Sequence, residues 1–259
     1  MTASEVIAVM EQQRDEEQRQ VLMRFFKTGP GQYGEGDEFL GLKVPQTRQV
    51  VRLATNLSLD EVPQLLHSRW HEVRLCGLLL LVDRFERSAR RRLVDDPSAI
   101  ARRDEVVQMY LDHAPCANNW DLVDLSAPKI LGHWLLLPTG LGREVVGLHT
   151  DHKLSVLDHL ADSDNLWLQR MSIVCTWKTS QHGDPSYCLR YAERHLHHTH
   201  DLMHKAVGWM LREVGKQVSM DLLRQFLEQH AHEMPRTALR YAIERMSVDE
   251  RHYWMDLKS

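Results

Sequence analysis

The sequence predicts an all-α protein built as a curved solenoid of stacked helical repeats, and three observations carry that expectation. Good helix formers with apolar residues at helical spacing recur along nearly the whole chain. Alternating apolar runs around Asn-Gly or Asp-Gly do not recur, which argues against a sheet. A faint internal repeat is also present. Glu72-Val73-Arg74-Leu75-Cys76-Gly77-Leu78 resembles Leu168-Gln169-Arg170-Met171-Ser172-Ile173-Val174, and both resemble the runs starting at Met203 and Met234. In each, a basic residue comes early, small residues follow and an apolar stripe continues, as in helix pairs that stack on one another. Trp120, Trp167 and Trp209 stand 47 and 42 residues apart, near the roughly 40–47 of HEAT or armadillo units.

Taken in order, residues 4–26 read as one N-terminal helix with Val6, Val9, Met10, Val21, Leu22, Phe25 and Phe26 on its apolar positions. Four glycines and a proline in 28–37 end it. They predict a loop or short hairpin insertion over 28–40. Pro45 suits a first helical position. Further helices are expected near 59–66, 72–85, 100–111, 120–131, 144–148, 154–160, 166–177, 187–195, 204–216, 220–229, 235–246 and 249–257. The whole of 1–259 is read as a single HEAT-like repeat domain, with its repeats in 41–259.

At 259 residues and 43% hydrophobic, the chain can bury a substantial core. A formal net charge of -4 argues against indiscriminate coating of nucleic acid, although 32 Lys and Arg can still be concentrated on one face. No apolar stretch approaches a bilayer-spanning length, and the N-terminus has no basic start followed by an apolar core, so a cytoplasmic location is the expectation. Cys76, Cys116, Cys175 and Cys188 form no Cys-x-x-Cys pair and read as small buried hydrophobes. His195, His197, His198, His200 and His204 suggest either a metal site or a solvated turn. The turn is favoured, because no His-Glu-x-x-His arrangement accompanies them. No metal or cofactor is expected.

Phosphate-binding glycine loops and a Gly-x-Ser-x-Gly elbow are absent from the sequence. The chemistry-bearing pattern is Trp120 followed four residues later by Asp124. On a helix this sets an indole beside a carboxylate, a pair able to hold a cation. The plainer alternative is that Asn118 or Asn119 caps a helix, Trp120 packs and Asp121 serves the helix dipole. Trp209 and Glu213 repeat the spacing, with Arg212 on an adjoining face. Arg74, Arg170, Lys205 and Arg236 hold equivalent places in the repeats, where they form either a row for phosphates or internal ion pairs.

Three ordered motifs resemble the AlkD-like DNA alkylation-repair glycosylases: Asn119-Trp120-Asp121-Leu122-Val123-Asp124, residues 163–170 ending in Arg170, and residues 205–213 from Lys205 to Glu213. Residues 39–48 resemble the family's early segment, and the likeness spans about 20–246. The resemblance implies a HEAT-like solenoid acting on duplex DNA that contains alkylated bases, with hydrolysis of the N-glycosidic bond of cationic N3- or N7-alkylated purines. By motif, Trp120 and Trp209 are the aromatic contacts, Asp124 the catalytic carboxylate and Arg170 a nearby backbone contact. Arg74, Lys205, Arg212 and Arg236 complete the expected DNA-binding set. A monomer without cofactor or obligate protein partner is expected. A non-catalytic binder of branched or distorted DNA and a protein-interaction scaffold stay open as alternatives.

Overall fold

A computed structural model describes residues 1–141 and 152–257. The regular structure of the described residues is helical, with one isolated parallel bridge between Glu38 and Trp70. The helix expected near 144–148 lies outside the described residues. Among the described residues no helix is long and apolar enough to cross a membrane.

The chain divides into two compact units, Met1–Ser126 with Pro138–Gly140, and Ala127–Leu137 with Leu141–Ser259. The first contains α1 (Ala3–Glu11), α2 (Glu16–Phe25), α3 (Val44–Leu53), α4 (Val62–Leu66), α5 (His71–Ser88), α6 (Pro97–Asp112) and α7 (Trp120–Ser126). Helix α5 is buried nearly all round, as a central helix must be, and α3, α4, α6 and α7 pack against it.

The second unit contains α8 (Leu131–Leu136), α9 (His152–Ala161), α10 (Leu166–Val174), α11 (Trp177–Gln181), α12 (Ser186–Arg194), α13 (Asp201–Gln217), α14 (Met220–His230), α15 (Arg236–Ala242) and α16 (Val248–Asp256). Here α13 is central, contacting α10, α11, α12, α14 and α15. Gly208 lets α15 approach closely, since a Cβ there would lie 2.3 Å from the carbonyl oxygen of Ala238. The small residue after the repeat's basic position is thus a packing requirement.

Several expected elements are cut differently. The single helix over 4–26 is two, because Asp15 is extended and its carboxylate caps α2 by accepting from the Gln18 amide at 2.9 Å. The expected 120–131 helix ends at Ser126, just before Pro128, which has no amide hydrogen for a continuing helix. The 166–177 helix stops at Val174, where the hydroxyls of Ser172 and Thr176 bond the carbonyls of Gln169 and Ile173. Residues 28–37 form consecutive turns and no hairpin.

Candidate active site

The first unit holds a cavity of about 360 Å³ walled by Leu22, Phe25 and Phe26 of α2, Phe39 and Leu42 before α3, Leu75 of α5, and Trp120 and Leu125 of α7. Asp121, Asp124, Glu72, His71 and Lys43 supply its polar groups. Trp120 stacks on Phe26 at 5.4 Å between ring centroids and 27° between planes, and Phe25 meets it edge-on at 5.9 Å. Phe26 stacks in turn on Phe39, and Phe39 on the His71 imidazole at 4.4 Å. Phe25 is 60% exposed, so the aromatic wall reaches solvent. A separate cavity of about 390 Å³ in the same unit is lined by Arg84, Arg87 and Arg102 and has no aromatic wall.

A buried polar cluster supports the floor. Glu72 accepts the backbone N–H groups of Leu40, Gly41 and Leu42 at 2.9, 2.8 and 3.0 Å. That grip shapes the Phe39 to Leu42 wall, and Gly41 sits at φ +95, where a Cβ would come within 2.0 Å of the Asp15 carbonyl oxygen. His71 donates from Nδ1 to Asp37 at 2.8 Å and from Nε2 to Asp121 at 2.9 Å. Donating from both nitrogens requires the imidazolium. Burial works against that charge, but Asp121 and then Asp37 outweigh it and hold the His71 pKa up at about 9. Burial would likewise raise Asp37, yet His71 and Arg74 keep it below the usual carboxylate range. Arg74 donates to Asp37 Oδ1 at 2.5 Å. Asp37, His71, Asp121 and Arg74 therefore cancel in charge. Glu72 uses both oxygens and Asp121 its Oδ2 on these structural partners, and Asp124, half-buried, lines the cavity from the same helix as Trp120.

The expected site residues fall into different settings. Trp120 and Asp124 share the cavity of the first unit. Arg74 is only 6% exposed, held by Asp37 and by the carbonyls of Ser68 and Arg69 at 3.0 Å each, so it braces the fold and is not presented to phosphate. In the second unit Arg170 is buried and donates to the Leu202 carbonyl. Lys205 pairs with Asp201 at 2.7 Å and Arg212 with Glu244, while Arg236 is exposed at the start of α15. Trp209 is half-buried on α13.

The histidine-rich run passes through a turn at 195–197, with His195 buried, His197 exposed and His198, His200 and His204 half-buried. His195 is buried against Ser172 Oγ at 2.8 Å, and burial, with His198 and Arg194, pushes its pKa down to about 4. His198 bonds Gln169, and His200 caps α13 through the Leu202 amide. Cys76, Cys175 and Cys188 are buried as expected, but Cys116 is half-exposed.

Sequence reasoning missed Phe25 and Phe26 as site residues. Both were assigned to a helix face, and the signal for more was two adjacent aromatics directly before the Gly-rich turns. Asp37 and His71 carried no local signal, since their partners lie 34 and 50 residues away.

A helical-repeat protein with an aromatic and carboxylate cavity is the class this geometry defines. The family described as DNA alkylation repair enzyme matches residues 6–246, nearly the whole chain, and the protein belongs to that family. Among solved structures, the fold is shared with a predicted DNA alkylation repair enzyme from Enterococcus faecalis, at a TM-score of 0.63 and 13% identity over 91% of this chain and 97% of that one. No curated protein matches the chain.

Proposed function

We propose that the protein is a DNA glycosylase that hydrolyses the N-glycosidic bond of cationic N3- or N7-alkylated purines in duplex DNA. The observation that carries this reading is the shared cavity of Trp120 and Asp124, one helical turn apart on α7. Membership of a DNA alkylation repair family supplies the substrate class.

An alkylated purine bears positive charge, so its glycosidic bond is already prone to break. As C1′–N9 cleaves, the bonding pair passes to the base and cancels its charge, and the sugar acquires oxocarbenium character. Asp124 stabilises that charge and accepts a proton from the water that adds to C1′. Trp120, backed by the Phe26 stack, favours a cationic nucleotide over a neutral one by ~0.5–2 kcal/mol. Trp209 is assigned the second aromatic contact, and Arg170, Lys205, Arg212 and Arg236 the DNA contacts of the second unit. For Arg170, Lys205 and Arg212 that role requires exchanging present partners for phosphate. The protein acts as a monomer, and base release itself draws on no cofactor.

The test is base release from duplex DNA carrying N7-methylguanine, with binding measured in parallel. Wild-type protein releases the methylated base and Asp124→Asn does not. Binding without release by the wild type would overturn catalysis and leave a non-catalytic DNA-binding protein.

A further inference from the structure

Away from the cavity, His67, His113 and Cys116 converge on the first unit. Their ligand atoms all lie within 4.8 Å of one another, the one such grouping of His, Cys, Asp and Glu among the described residues. His67 Nε2 is 3.0 Å from His113 Nδ1, and Cys116 Sγ is 4.0 Å from the same His67 nitrogen. A tetrahedral Zn²⁺ with the usual bond lengths has edges of about 3.3 Å between two nitrogens and about 3.6 Å between nitrogen and sulfur. The His67–His113 separation is somewhat shorter than its edge and the His67–Cys116 separation somewhat longer, so the rings and the thiol must adjust to seat the ion.

The backbone places the three ligands without help from the ion. His67 follows α4 and its amide donates to the Pro63 carbonyl at 2.9 Å, while His113 follows α6. Cys116 lies three residues on, its amide donating to the His113 carbonyl at 2.9 Å. Arg74 pins the next turn through the carbonyls of Ser68 and Arg69. His67 is exposed, and His113 and Cys116 are half-buried.

We propose that His67, His113 and Cys116 form a Zn²⁺ site with three protein ligands and an open fourth position. Two imidazoles and a thiolate are a donor set for zinc rather than for magnesium or calcium. The ion ties the end of α4 to the segment between α6 and α7. Binding displaces the Cys116 thiol proton, because the thiolate is the ligand.

Co²⁺ titration of the full chain reads the site directly, because thiolate ligation gives a charge-transfer band that histidines alone do not. Wild-type protein shows the band saturating at one equivalent, and Zn²⁺ abolishes it. Cys116→Ser removes the band, and His113→Ala weakens affinity by at least the ~10–100-fold typical of losing even an outer partner. Should Cys116→Ser fail to fold, His67→Ala and His113→Ala carry the test. Absence of the band in the wild type, its persistence in folded Cys116→Ser, or unchanged affinity in both histidine variants would overturn the site. Base release is measured separately and does not bear on it.

Discussion

Two tryptophan and carboxylate pairs with identical spacing have different surroundings. Asp124 faces an aromatic cavity beside Trp120. Glu213, four residues after Trp209, is 5% exposed and lies 3.8 Å from Arg212 Nε and 3.6 Å from Lys216 Nζ, and accepts from Gln217 Nε2 at 3.3 Å. Helical spacing puts an indole and a carboxylate on one face in both cases. What separates them is the neighbourhood: cations surround Glu213, whereas aromatic rings surround the cavity that Asp124 lines.

The largest expected effect breaks that comparison outright. Asp124→Asn lowers single-turnover base release by ~10²–10⁴-fold, the range for losing a positioned proton-transfer group, whereas Glu213→Gln leaves release near wild type. Equal losses in both variants would erase the distinction. Next is stability: Glu213→Ala removes a buried carboxylate beside Lys216 and Arg212, the latter keeping Glu244, and costs about 1–3 kcal/mol in urea unfolding, and no loss would make the pairing idle. Smaller again, Trp120→Ala weakens kcat/KM on a cationic lesion by roughly 2–30-fold, the cation–π range expressed as a rate ratio. Phe25→Ala gives a lesser drop, and a greater drop for Phe25 would move the aromatic contact to α2.

The smallest effect over any one pH unit sharpens the cavity side. His71 is held up at about 9 against an ordinary value near 6.5. Its contribution to stability is therefore complete below about 6.5 and is lost as pH rises through about 9. Asp37 gives the opposite limb, losing its contribution as pH falls below the usual carboxylate range. Asp121→Asn removes the largest influence holding His71 charged, so the wild-type urea midpoint falls more steeply between pH 6.5 and 9 than the variant's. Identical slopes would sever His71 from this stabilisation.

Much of the fold was legible because its signals are local. Apolar periodicity and Pro45 located most helices, and the Trp120 and Asp124 pair was readable from spacing alone. The breaks were less visible, since the cap at Asp15 lay inside good helix-forming sequence. At Arg74 the internal ion pair is the alternative found, and spacing could not select it because the partner, Asp37, closes a Gly-rich stretch read as an insertion. That stretch supplies the carboxylate that joins Arg74 to His71, a relation no sequence period encodes.

The grip of Glu72 on the segment before α3 has a consequence for solvent exchange. Leu40, Gly41 and Leu42 belong to no helix, yet their amides are spent on a buried carboxylate. Their deuterium uptake should be slow, like that of a core helix, and should keep pace with global unfolding rather than loop breathing. An irregular stretch of backbone would then be among the last parts of this unit to open.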